Sequence, residues 1–369
     1  MKTLLVIIDG AADVADASTE GLTPLQAADM PVADTIACPS ATGRLTTSPD
    51  GNAPGSETAI MSILGYGNDR PISGRGWLEA LGLGMEVSPD DTVWRCNVVR
   101  AMPSGRVVDP MPEDITASEA CRLIKSAVNY SPIVDARHIG GLSGIVVTSG
   151  TSPEIDGIVS PYDAYISGTA LRPVFGLPDW MWLWSAGHPL SLPPLPYRAA
   201  LIAATPLVKG IGKALGMDCL DVPGATGDCS TSLEAKAAVA VGALDSDGYD
   251  FVMVHIEGAD TASHTGSFRL KRSFLEAIDS RLLAPLWQRV SDGGDTVFAL
   301  LPDHATSWRH RRHTSDPVPV SLYVPWEKGD NVDRFDETAV TCGSLGVIPA
   351  GGLAGIIAGL RKHKKSVQS

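Results

Sequence analysis

The chain has no long hydrophobic run. Its longest apolar stretches, residues 350–360 (AGGLAGIIAGL) and 199–208, fall well short of the ~20 residues a helix needs to cross a bilayer. Cysteine is sparse and unpatterned. Cys38, Cys96, Cys121, Cys219, Cys229 and Cys342 form no CxxC pair, which argues against a disulfide framework or a structural zinc site and for a reduced, cytoplasmic setting. Positive charge is in deficit, 29 lysines and arginines against 42 acids for a net charge of −13. Nucleic acid and anionic membrane are therefore not expected partners, whereas a local anion pocket is compatible with the balance. Neither an internal repeat nor a low-complexity block is present. The opening MKTLLVIIDG meets Asp9 at once and lacks a small-residue cleavage site, so it reads as a first β-strand rather than a signal peptide.

What is present suffices for a large core. In 369 residues, 44% are hydrophobic and 19% charged, a length and balance that suit two domains of unequal size. Apolar runs at residues 4–8, 145–147, 199–203, 251–256 and 297–301 read as strands, each ending in a loop rich in Gly, Asp or Ser. Between several of them lie helical patterns at 56–64, 233–244 and 268–290. Continuous apolar strands alternating with amphipathic helices predict an α/β fold with a mainly parallel sheet covered on both faces. Residues 91–175 are more polar and broken by Pro, Gly and Ser. They read as a smaller α+β domain inserted between 1–90 and 176–369, with the aromatic and proline-rich stretch 172–196 as its return linker.

Functional groups of open α/β sheets collect where strands end. The run at 4–8 delivers Asp9; that at 251–256 delivers Glu257, Asp260 and His264; that at 297–301 delivers Asp303 and His304, with His313 nine residues on. Any one of these is commonly a cap or a turn residue. Together they supply the hard oxygens and directional nitrogens that Mn or Zn takes. Ser56 follows Pro54-Gly55 and opens a helix, as an N-cap or as a nucleophile facing an anion. The fragment alone favours the cap; a neighbouring two-metal site favours the nucleophile. Arg75, between Gly74 and Gly76, and Lys209, before Gly210, are placed to grip an anion or to be solvated. The basic cluster at 269–272 reads as a solvated helix face.

The order of short motifs resembles the cofactor-independent phosphoglycerate mutases of archaeal type, in the alkaline phosphatase superfamily. It runs from Ile7-Ile8-Asp9-Gly10 through Pro54-Gly55-Ser56-Glu57-Thr58-Ala59 and Gly74-Arg75-Gly76 with Leu78-Glu79-Ala80-Leu81-Gly82. It continues with Lys209-Gly210, Asp260-x-x-x-His264, Asp303-His304 and His313-x-x-Asp316-Pro317. The resemblance implies two divalent ions, Mn or else Zn, Mg or Co. Asp260, His264 and His313 would hold one, and Asp9, Ser56, Asp303 and His304 the other. It implies phosphoryl transfer to Ser56, a small phosphorylated acid bound by Arg75 and Lys209, and interconversion of 2- and 3-phosphoglycerate; a homo-oligomer is compatible with it.

The departures fall elsewhere. Family members commonly carry an arginine-rich stretch where this chain has Val108-Asp109-Pro110-Met111-Pro112-Glu113, and an Asp-Pro-His where it has Asp163-Ala164-Tyr165. Arg75, Arg95, Arg100 and Arg172 are the candidate substitutes, and at least one of the four is expected to point toward the substrate. Two other readings therefore stay open: a mutase acting on a related phosphonate or phosphorylated hydroxy acid, and a phosphatase.

Overall fold

The computed structural model describes residues 1–49, 54–67, 74–102, 104–150, 160–168, 178–189 and 191–367. Arg172, singled out in the sequence, lies outside these residues. The chain forms two compact units. One comprises Met1–Ile72, Pro194–Thr205 and Leu215–Ser369, and the other Ser73–Pro193 and Pro206–Ala214. The second unit thus takes in more of the chain than residues 91–175, including both elements that carry Arg75 and Lys209.

The first unit is built on an eight-stranded sheet. Its central strand, Lys2–Ile8 (KTLLVII), is buried from Thr3 onward, and such a run is apolar on both sides because helices cover both faces. Leu4, Val6 and Ile8 enter one core cluster with Leu244, Leu275, Leu286 and Phe298. The strand pairs in parallel with Phe251–Ile256 and Thr296–Leu301, in the registers Ile8↔Ile256 and Ile7↔Leu301. Three chain segments therefore leave the sheet at the same edge and level. Ala199–Ile202 and Asp218–Cys219 extend the parallel set. On the other side Val318–Tyr323 runs antiparallel between Thr296–Leu301 and Ala41–Leu45, and Gly346–Ile348 closes the order.

The helix expected over 268–290 is three segments: Phe268–Ile278, a π-helical turn Asp279–Leu283, and Ala284–Gly293. Pro285 accounts for the break, since it has no N–H for an i−4 carbonyl and its ring crowds the preceding turn. The wider turn carries Asp279, whose buried carboxylate accepts the N–H groups of Val32 (3.0 Å) and Ala33 (2.8 Å) at the start of Pro31–Ala37.

The second unit has a four-stranded antiparallel sheet in the order Ile133–Gly140, Ser143–Thr148, Thr92–Val98, Met181–Gly187. The stretch expected as a return linker thus includes a strand. Its residues Met181, Trp182 and Leu183 are buried, which is why an aromatic-rich run occurs there. Helices Arg75–Gly82 and Pro206–Ala214 pack backbone to backbone. A Cβ on Gly210 would lie 1.7 Å from the Leu78 carbonyl oxygen, and one on Gly82 1.8 Å from that of Pro206. Both motif glycines are therefore packing requirements.

Asp279→Ala should lower stability by about 1–3 kcal/mol, because it strands the N–H donors of half-buried Val32 and buried Ala33. Asp279→Asn, which retains an acceptor, should recover part of the loss. Chemical unfolding of the three proteins measures both.

Candidate active site

The parallel registers bring Asp9, the segment 257–264 and the pair Asp303-His304 to one edge. His313 arrives from the hairpin Ala305–Ser307/Arg312–Thr314, where it pairs with Thr306. Ligand atoms of Asp9, Asp303 and His304 lie within 4.8 Å of one another, as do those of Asp260, His304 and His313. His264 Nε2 is 3.3 Å from Asp260 Oδ2 and 3.1 Å from His313 Nε2, and His313 Nε2 is 3.3 Å from Asp260 Oδ1. All the Asp and His side chains expected at metals therefore converge within the first unit.

Hydrogen bonds fix which nitrogen of each imidazole faces inward. His264 Nδ1 meets the carbonyl oxygen of Arg311 at 2.9 Å and His313 Nδ1 that of Pro54 at 3.2 Å. A carbonyl only accepts, so each Nδ1 carries a proton and Nε2 faces inward, as the lone-pair nitrogen whenever the ring is neutral. His304 Nε2 faces Ser56 Oγ (3.2 Å), Asp9 Oδ1 (3.3 Å) and Asp303 Oδ2 (3.5 Å). Asp9 Oδ1 and Asp303 Oδ2 are buried with no hydrogen-bond partner among the described residues. Lone pairs aimed at carboxylate oxygens across 3.3–3.5 Å repel unless a cation lies among them. This donor set fits divalent ions.

The titration behaviour has the same origin. Burial, then the neighbouring Asp303, Asp260 and Glu257 carboxylates, push Asp9 well above the usual carboxylate range. Burial acts on Asp260 in the same sense, yet the protonated forms of His264 and His313, whose Nε2 atoms then donate to its carboxylate, hold it well below that range. Burial lowers His304, against the pull of Asp303.

Ser56 is the first residue of the helix Ser56–Ile63, whose N-cap is Gly55. The cap reading therefore does not hold. Its hydroxyl contacts Asp9 Oδ2 at 3.4 Å besides His304, at the end of a helix whose N–H groups favour an anion. Arg75 opens Arg75–Gly82, and Lys209 lies in Pro206–Ala214. Arg75 Nε donates to Glu79 Oε1 at 2.9 Å, and Arg95 bonds the same oxygen. Burial would raise Glu79, but Arg75 and Arg95 hold it below its ordinary range. Arg100 pairs with Asp114 on the exterior.

Three residues escaped the sequence reading. His255, in the otherwise apolar strand FVMVHI, is 3.5 Å from Asp9 Oδ2, and burial pushes it down to about 4. A polar residue inside a wholly buried strand was the available signal. Thr306 bridges His304 and Asp260, with no mark in the sequence. Lys271 corrects the expectation of a solvated face at 269–272. It is fully buried, its Nζ donating to Asp13 Oδ2 (2.7 Å), Thr306 O (2.9 Å) and Ala12 O (3.1 Å). It thereby ties the loop after Asp9 to the strand after His304.

A cluster of buried carboxylates and inward-facing imidazoles at the edge of a mainly parallel α/β sheet defines a metal-dependent enzyme, and the metalloenzyme superfamily model matches residues 1–357. The chain is 34% identical to 2,3-bisphosphoglycerate-independent phosphoglycerate mutase 2 of Methanothermobacter thermautotrophicus, over 94% of each chain. It is 33% identical to the 2,3-bisphosphoglycerate-independent phosphoglycerate mutase of Methanosarcina acetivorans, over 97% of this chain and 99% of that one. Among solved structures, a Pyrococcus horikoshii protein superposes with a TM-score of 0.74 at 28% identity, covering 96% of this chain and 94% of that one. The cofactor-independent phosphoglycerate mutase of Thermoplasma acidophilum does so at 0.63 and 26% identity, covering 98% and 100%. The chain belongs to the 2,3-bisphosphoglycerate-independent phosphoglycerate mutase family.

Lys271→Met should destabilise the protein by about 3–5 kcal/mol, since it leaves the Asp13 carboxylate buried without its partner. Asp13→Asn with Lys271→Met should cost less than the two single changes summed. Denaturant titration of the three variants measures the coupling.

Proposed function

We propose that the chain is a metal-dependent phosphomutase that interconverts 2- and 3-phosphoglycerate through phosphorylated Ser56. The observation that carries this reading is the Ser56 hydroxyl, at a helix N-terminus and within 3.2 Å of His304 Nε2 and 3.4 Å of Asp9 Oδ2. Asp260, His264 and His313 would hold one divalent ion, and Asp9, Asp303 and His304, with Ser56, the other; we take both as Mn. When bound, such ions lower the pKa of a serine hydroxyl and neutralise charge on phosphoryl oxygens.

Ser56 Oγ forms a bond to phosphorus as the ester bond to one glycerate hydroxyl breaks, and the serine proton ends on the departing glycerate oxygen. The same steps run backwards on the other hydroxyl. Phosphoryl transfer asks a protein mainly for positioning and charge neutralisation. We assign Arg75 and Lys209, and with them the second unit, to substrate binding, the guanidinium suiting a carboxylate or phosphate. Free glycerate must be retained while it reorients, which requires exclusion of water. One observation favours a second reading, a mutase of a related phosphonate or hydroxy acid. The run at 108–113 carries no arginine, and its Met111 is 70% exposed.

Phosphorus NMR of the Mn-loaded protein with 3-phosphoglycerate should show 2-phosphoglycerate appearing. Free phosphate in its place would indicate a phosphatase, and an unchanged spectrum would defeat the assignment of substrate. Chelation should abolish the activity and Mn restore it. Ser56→Ala should remove both turnover and phosphoenzyme while the far-ultraviolet circular dichroism stays as it was.

A further inference from the structure

Thr306 is wholly buried and held at every polar atom. Its N–H donates to Ala12 O (3.0 Å), and its carbonyl accepts from Lys271 Nζ (2.9 Å). Its hydroxyl lies 2.7 Å from Asp260 Oδ1 and 3.0 Å from His304 Nδ1. A hydroxyl has one proton. The shorter contact spends that proton on Asp260 Oδ1, so His304 Nδ1 must donate to the hydroxyl oxygen. The result is a directed chain, His304 Nδ1–H to Thr306 Oγ1–H to Asp260 Oδ1. It turns the His304 Nε2 lone pair toward Ser56, Asp9 and Asp303. Gly10 makes room for it. A Cβ there would lie 2.7 Å from Thr306 Oγ1 and 2.8 Å from Asp260 Cβ, at a φ of +62° that itself favours glycine.

We propose that Thr306 is a positioning residue that couples the two groups of metal ligands. It fixes the His304 tautomer for one and orients the Asp260 carboxylate for the other. The inference rests on the metal assignment above, and it goes beyond it in giving the two sites a shared protein element. Loss of the hydroxyl should weaken both binding events together, where loss of a single ligand weakens chiefly its own.

The test compares full-length wild type with Thr306→Val, Thr306→Ser and Thr306→Ala. Imidazole nitrogen NMR of the metal-free proteins should show His304 as the Nδ1–H tautomer in wild type and Thr306→Ser, and as a mixture or the Nε2–H form in Thr306→Val. Mn titration by calorimetry should show both ions bound about 10–100-fold more weakly by Thr306→Val and Thr306→Ala, with Thr306→Ser restoring most of the affinity. Thr306→Ala serves in both measurements should Thr306→Val fail to fold. A wild-type Nε2–H tautomer, or undiminished binding of both ions by the folded variants, would overturn the proposal. Absence of Mn binding by wild type would defeat the metal assignment and the coupling with it, yet leave the tautomer result standing, so the two failures are distinguishable.

Discussion

Mutual repulsion among buried carboxylates is the constraint around which this molecule is organised. Asp9, Asp260 and Asp303 lie close enough that Asp303 and Asp260 both raise the Asp9 carboxyl, on top of the larger effect of burial. A fold driven by apolar burial does not bring such groups together unless something else holds the backbone in place. Here that is the strand pairing of Lys2–Ile8 with Phe251–Ile256 and Thr296–Leu301, whose side chains form the core. Burial of these strands supplies stability that the acidic edge opposes. A divalent cation would offset most of that repulsion.

The same division between supporting and functional residues recurs in the surrounding polar network. Lys271, Asp13 and Thr306 are buried, and each is satisfied by hydrogen bonds. Such a network is costly to disrupt, and costs far less when complete. It links the loop after Asp9, the helix Phe268–Ile278 and the hairpin that carries His313. Asp279 does similar work further off, capping the helix Pro31–Ala37 from a π-helical turn created next to Pro285.

Much of this was legible in the chain. The central strands were apparent as continuous apolar runs, and the Asp and His residues at their ends followed from the rule that parallel strands deliver function at one edge. Other elements were not. Met181–Gly187 was expected as linker, because its proline-rich flanks obscure a strand whose partner, Thr92–Val98, lies about 90 residues earlier. The helix at 268–290 read as continuous because period alone does not reveal a widened turn. Lys271 read as solvated because charge on a helix is usually exposed, and its partner Asp13 is 258 residues away.

By itself, the sequence determined the strand core, the order of the Asp- and His-bearing motifs and the family, since these depend on local pattern and residue type. Only the tertiary structure decided the contacts that make those residues a site. The His304 tautomer depends on Thr306 and Asp260, the orientation of His313 on the Pro54 carbonyl, and the place of Ser56 inside its helix on Gly55 taking the cap. The Thr306–Asp260 and His313–Pro54 hydrogen bonds join segments 46 and 259 residues apart. Their direction is set by which atom has a proton to give, and that follows from three-dimensional proximity and not from residue order.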